Sequence, residues 1–123
     1  MKKIFKKNQK SPSLLNEDTF MKLSKLEDAI KDIARVYFVS LRYIHSKKLS
    51  SGESDYYSPF YKYYADVEEA FASLDKENQR IITNEYFYDA YKGWWTYEYK
   101  ESIFKKLKKA AIKQFVEKFY AIH

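Results

Sequence analysis

At 123 residues, 46% hydrophobic and 20% aromatic, the chain has the length of one domain and too many large apolar side chains to stay disordered throughout. It has no cysteine, which excludes a disulfide scaffold, a thiolate nucleophile and a Cys-ligated zinc. The net charge of +6 is unevenly spread, with +5 over residues 1–10, +2 over 11–50, −6 over 51–98 and +5 over 99–123, so two basic ends flank an acidic middle.

Residues 1–12 read as a flexible basic arm carrying Lys2, Lys3, Lys6, Lys7 and Lys10, closed off by Pro12. No apolar run follows these lysines, so no secretory signal is expected. No stretch approaches the roughly 20 apolar residues of a membrane span, and the expectation is a cytoplasmic protein with no membrane partner. Residues 13–123 read as a single helical domain, since only two glycines and two prolines leave little room for tight turns.

The first helix is expected from a cap at Ser13 or Asn16, with Glu17 and Asp18 favoured by the first-turn dipole. From Phe20 the apolar residues run Leu23, Leu26, Ile30, Ile33, Tyr37, Leu41 and Ile44, widened by Ala29, Ala34 and Phe38. Steps of three and four predict one uninterrupted helix of about 30 residues, on the order of 45 Å, as the scaffold. The near-heptad spacing fits either the protein's own core or a homodimer seam through residues 23–44. The core reading is preferred, because the aromatic stripes further along need a surface to cover them. His45 is expected as a cation at the C-terminal end of this helix.

Lys47–Tyr57, with its serines and Gly52, is predicted as a loop. Ser58 as cap and Pro59 at the first helical position open a second helix ending near Ser73. Phe60, Tyr64, Val67 and Phe71 should form its buried face, with Tyr63 and Ala70 beside them. Asp66, Glu68 and Glu69 should lie outside. Asp75 caps a third helix, Leu74 being placed to act as a hydrophobic staple. That helix carries Ile81, Ile82, Tyr86 and Phe87 and is expected to stop around Tyr91–Gly93. A break follows, in which Trp94 and Trp95 brace a turn by packing on the core. The last helix, Tyr99–Tyr120, places Ile103, Leu107, Ala111, Phe115, Phe119 and Ile122 on one stripe, flanked by Phe104, Ala110 and Ile112. The predicted fold is all-α: four to five helices, a long N-terminal scaffold helix and a helix-turn-helix-like unit over 74–120.

The inventory for catalysis is poor. His45 and His123 are the only imidazoles, and they are far apart in the chain. No phosphate loop, dinucleotide fingerprint or nucleophile elbow occurs. Glu68, Glu69, Glu85 and Asp89 could gather round a metal, but no Glu-x-x-His pair accompanies them, and exposed acidic faces are far commoner. No enzyme activity, cofactor or metal is expected. From residue 99 on, seven lysines face two glutamates. Lys105, Lys106, Lys108, Lys109 and Lys113 cluster instead of alternating with acids, so they read as cations presented to an anion and not as ion-pair partners.

Residues 74–115 resemble the C-terminal part of small phage-type late transcription regulators related to the helix-turn-helix of sigma factor region four. The chain is also similar to short mycoplasma proteins of that kind. Leu74, Arg80, Ile81 and Ile82 match the motif's opening, Trp94 and Trp95 its aromatic turn, and Ser102, Phe104, Lys105, Lys106, Lys108, Lys109, Ala110 and Phe115 its basic helix. Lys100 stands where the motif has its first serine, and the usual first helix is compressed to WWTYEY. The resemblance implies a DNA-binding transcription regulator whose residues Glu101 to about Lys113 lie in or along a groove, on DNA rather than RNA. Lys105, Lys106, Lys108, Lys109 and Lys113 would contact phosphates, with Lys100 and Ser102 at the helix start. Lysine is a point charge suited to phosphate and a poor bidentate reader of bases, so backbone binding is the firmer expectation. The alternative is a non-enzymatic helical interaction module, associated with RNA polymerase or with a second copy of the chain. It would use the acidic middle and Tyr56, Tyr57, Tyr61, Tyr63 and Tyr64.

Overall fold

A computed structural model of the chain describes residues 19–51, 58–88 and 90–123, with backbone alone for 19–23 and 48–51. It contains α1 (Thr19–Ser51), α2 (Pro59–Ala72), α3 (Lys76–Ile82) and α4 (Glu101–Ile122). A π-helical turn (Thr83–Phe87) continues α3. No strand occurs among the described residues, and the fold is all-α. The basic arm, and the caps expected at Ser13 and Asn16, lie outside the described residues.

At 33 residues, α1 spans about 50 Å and is the scaffold. It runs through Lys47–Ser51, which the sequence reading assigned to the following loop. Lysine and leucine are good helix formers, and nothing breaks the pattern before Gly52. His45 therefore lies within the helix, exposed, and not at its end.

Ring contacts define how α2 lies on α1. Phe60 packs on Tyr43 at 4.6 Å and Tyr64 on Tyr37 at 5.8 Å, so the two helices run antiparallel. Ser58 caps α2 as expected, its Oγ accepting from the Phe60 N–H at 3.1 Å, with Pro59 in the first turn. The buried face is rotated from the expected one. Asp66, Val67 and Ala70 are buried, while Phe60 is 38% exposed. Asp66 tolerates burial because the Lys62 ammonium donates to it at 2.6 Å and the His123 ring lies against it at 2.8 Å. Burial alone would raise its pKa. The hydrogen bonds from Lys62 and His123 outweigh that, and hold the carboxyl below the usual aspartate range.

Asp75 caps α3 by accepting from the Asn78 N–H at 2.8 Å. Leu74 is buried, but the staple's partner position is Gln79, whose amide donates to the Phe71 carbonyl at 3.1 Å. Leu74 thus belongs to the general core instead. The regular helix ends at Ile82, well before Tyr91. The Tyr88 N–H bonds the Thr83 carbonyl across five residues, and Tyr88 itself is extended. The widened turn lets adjacent rings reach different neighbours. Tyr86 bonds Glu27 of α1, while Phe87 packs edge-on against Tyr37 at 5.4 Å and Phe115 at 5.9 Å.

The core lies where these elements meet α4. Ile30 and Ile33 of α1, Val67 and Ala70 of α2, Ile81 and Ile82 of α3, and Phe104, Ile112, Phe115 and Phe119 of α4 form one cluster. Phe115 and Phe119 are essentially fully buried, and each such ring contributes about 1.5–3 kcal/mol by leaving water. The apolar stripe of α1 faces this core. The seam that could have served a second copy is covered from within the chain between Leu26 and Tyr37. Among the described residues no helix is long and apolar enough to cross a membrane.

Candidate nucleic-acid interface

Residues 88–100 join the π turn to α4, a connection longer than the 3–4 residues of a helix-turn-helix. Its residues 92–98 are consecutive turns and not a helix. Gly93 takes φ +78°, a left-handed conformation that any side chain would disfavour. Three rings then clamp this segment onto the first turn of α4. Trp95 stacks on Phe104 at 4.5 Å with planes 7° apart, Trp94 meets it edge-on at 5.6 Å, and Tyr99 lies 5.9 Å away. The tryptophans are packing residues, as expected of them. The indole N–H of Trp94 donates to Glu85 at 2.8 Å, and the Arg80 guanidinium sits 5.0 Å over its ring.

The buried face of α4 differs from the predicted stripe. Phe104, Ala111, Ile112, Phe115, Val116 and Phe119 are buried, and Ile103 is 49% exposed. The cause is geometric. Each step of four residues advances about 40° around a helix, so Ile103 and Phe119, four such steps apart, lie about 160° apart. The face holds Phe104 to Phe119 and turns Ile103 outward.

That rotation separates the seven candidate residues. Lys108 stands four after Phe104, three before Ala111 and seven before Phe115, in the middle of the buried face. Its ammonium lies 2.8 Å from Glu85, 3.6 Å from Glu27 and 5.7 Å over the Tyr86 ring. Burial, and then the hydrogen bond to Glu27, push the Tyr86 hydroxyl well above the ordinary tyrosine range. Lys108 is therefore the centre of a half-buried network tying α1, the π turn and α4. Its expected phosphate contact is replaced by two carboxylates. Lys105 also has a partner, Glu101 at 3.0 Å, but both are well exposed, and such a pair opens readily. The expectation that these lysines are not arranged as ion-pair partners is thus wrong for both. Sequence reasoning missed Glu27, and considered Glu85 only as a metal ligand and not as the partner of Lys108. A helical wheel of α4 carries the signal for Lys108, but nothing local to residues 27 and 85 reveals that tertiary structure brings them to it.

The remaining candidates converge. Ser102, Lys106, Lys109 and Lys113 are spaced four, three and four apart, on the side of α4 away from the core. Lys106 and Lys113 are exposed and Lys109 is half-buried. None of the three lysines has an ion-pair partner among the described residues. Lys100, exposed, precedes the helix as its N-cap without a side-chain capping bond. The stripe from Ser102 to Lys113 is about 16 Å long. The Lys108–Glu27 contact places the first half of α1 beside the first half of α4.

Of the carboxylates considered for a metal, Glu68 accepts from the Tyr37 hydroxyl at 2.5 Å and Glu85 is bonded as above, while Asp89 lies outside the described residues. No group of three or more metal-ligating side chains occurs among the described residues.

Fold and surface together define a small all-α protein that displays, on the outer face of its last helix, a row of lysines with no ion-pair partner among the described residues. Comparison with protein-family models, curated proteins and solved structures gives no match for the chain.

Proposed function

We propose that the protein is a non-enzymatic nucleic-acid-binding protein acting as a transcription regulator through α4. The observation that carries the binding half of this reading is the Lys106–Lys109–Lys113 stripe. These cations share one face, lack carboxylate partners among the described residues, and sit on a helix whose opposite face is fixed in the core. A rigid row of ammonium groups suits phosphates and carries no bidentate base-reading fork. Regulation of transcription is the role that the resemblance of residues 74–115 implies. Lys106, Lys109 and Lys113, with Lys100, are the contacts. Lys105 can join by releasing Glu101, and Lys108 remains in its internal network.

With three or four phosphates neutralised by α4, this helix alone should contribute about −3 to −4 to the slope of log affinity against log salt on duplex DNA. Fluorescence anisotropy with a labelled duplex across a salt series measures this. The triple substitution Lys106→Gln, Lys109→Gln, Lys113→Gln should flatten the slope by about 3 units without changing the melting temperature. No binding at low salt, or an equal slope in the triple variant, would overturn the reading.

One observation supports the interaction-module reading. A cleft of about 260 Å³ opens between α1, α2 and the π turn, lined by Tyr37, Phe38, Leu41, Phe71 and Phe87. Capture of a protein partner from nuclease-treated lysate, lost on Phe38→Asp, would favour it.

A further inference from the structure

The cleft of about 260 Å³ between α1, α2 and the π turn is walled by rings and edged by a carboxylate. Tyr37 and Phe38 of α1 stand 5.5 Å apart at 72°. Phe87 of the π turn lies 5.4 Å from Tyr37 at 83° and 6.1 Å from Phe38 at 48°. Phe71 of α2 adds a fourth ring. Planes so inclined are not stacked on one another, and they meet the cleft from different directions. An ion seated over the triangle of the first three centroids lies within the roughly 6 Å at which a ring attracts a cation, for all three at once. Phe38 is 36% exposed, so this wall is reached from solvent.

The charge at the cleft is one-sided. Glu68 lines it, accepts from the Tyr37 hydroxyl at 2.5 Å, and has no ion-pair partner among the described residues. Among the described residues the lining holds no lysine or arginine. Burial, and then the hydrogen bond to Glu68, raise the Tyr37 hydroxyl above the ordinary tyrosine range, so it keeps its proton and adds no charge. The Glu68 carboxylate is therefore the full charge of the cleft, set beside rings whose faces are themselves weakly negative. Rings around a point next to a carboxylate suit a cation whose charge is spread over apolar carbon. A strongly hydrated metal ion would keep its water, and a neutral apolar group would make no use of the carboxylate.

We infer that this cleft binds a small, free quaternary ammonium compound, with Tyr37, Phe38 and Phe87 around its methyl groups and Glu68 beside its charge. The volume sets the size of the occupant. It lies below the roughly 300–1,000 Å³ of a drug-sized pocket, and it takes a cation of a few heavy atoms, not a helix laid along a groove. No residue of α4 lines the cleft, so its occupancy is independent of the nucleic-acid reading.

The test is a titration of the full chain with choline and with dimethylbutanol, the uncharged isostere in which carbon replaces the charged nitrogen, followed by NMR of the aromatic side chains. Choline should shift the Tyr37, Phe38 and Phe87 ring resonances and saturate in the roughly millimolar range, about tenfold or more tighter than dimethylbutanol. Phe38→Leu keeps an apolar side chain and removes the ring. It should weaken choline by about fivefold and leave dimethylbutanol within about twofold of wild type. Glu68→Gln keeps an acceptor for the Tyr37 hydroxyl and removes the charge, and should weaken choline by a similar factor. Both positions are exposed, so the melting temperature should barely move. Unshifted resonances at high choline concentration, equal affinity for the two compounds, or variants that bind choline like wild type overturn the inference. Tighter binding of a trimethyllysine peptide than of choline also overturns it, and gives the cleft to a protein partner.

Discussion

Lys108 offers the sharpest separation between a lysine that holds the fold and lysines that face a ligand. Replacing it with glutamine removes the cation between Glu85 and Glu27, which lie 2.8 and 3.6 Å from its ammonium. The two carboxylates then face each other across the same space, still fixed by the Trp94 N–H and the Tyr86 hydroxyl. An exposed ion pair contributes about 0–1 kcal/mol, and stripping one partner from a buried pair costs about 3–5 kcal/mol. Lys108 is 27% exposed, Glu85 19% and Glu27 34%, so the loss falls between these limits, at about 1.5–3 kcal/mol. For a domain of this size 1 kcal/mol moves the melting temperature by about 4 °C, giving a drop of roughly 6–12 °C. Thermal and urea unfolding followed by circular dichroism measures it. Adding Glu85→Gln should recover part of the loss, because the uncompensated charge goes with it. Below its melting temperature Lys108→Gln should bind nucleic acid nearly as wild type does. The opposite pattern, unchanged melting with binding reduced as far as in the Lys106/Lys109/Lys113 variant, refutes the assignment of Lys108 to the core.

Three further outcomes are expected. Asp66 has its pKa lowered in the fold, so its contribution is complete above the unfolded value of about 3.9 and is lost as pH falls through the lower folded value. Asp66→Asn should therefore melt below wild type at pH 7, with the two curves converging below about pH 4. A constant gap down to pH 2 would argue against the Lys62 and His123 contacts. Gly93→Ala forces a side chain into φ +78°, costing about 1–2 kcal/mol. The added carbon meets only Thr96 Cγ2, at an ordinary 3.4 Å, so the cost is backbone strain, and Gly93→Asn should be milder. Deleting residues 1–10 removes five lysines. Since the first half of α1 lies beside the first half of α4, the deletion should lower nucleic-acid affinity and flatten the salt slope by up to about 4 units. Unfolding curves should be unchanged. Unaltered binding would mean that the arm does not reach the phosphates.

Local rules were enough for much of this protein. Apolar steps of three and four, Ser58-Pro59, the Asp75 cap and the scarcity of glycine placed four helices in their correct order. They could do so because capping and amphipathic periodicity involve residues within a few positions of one another. The same reading found the lysine cluster, and took Trp94 and Trp95 as packing residues.

What local rules could not supply was the rotation of each helix and the identity of distant partners. A stripe drawn through steps of four drifts round the helix, so the sequence alone left Ile103 and Phe104 both as candidates for the core. Only the arrival of Trp94, Trp95 and Tyr99 on Phe104 settled which one turns inward. Asp66 and Lys108 read as surface charges because an isolated charge does not bury. Tertiary structure buried one and half-buried the other by bringing His123 to Asp66 and Glu27 and Glu85 to Lys108, across separations no local pattern encodes. At the π turn, Tyr86 and Phe87 are neighbours in sequence that reach different residues of the same two helices, Glu27 and Lys108 for Tyr86 and Tyr37 and Phe115 for Phe87. Composition and spacing thus determined that this chain would be helical, with a basic last helix. Which of its lysines face solvent was decided by long-range pairing, because a charge goes inward only where the fold delivers its counter-charge.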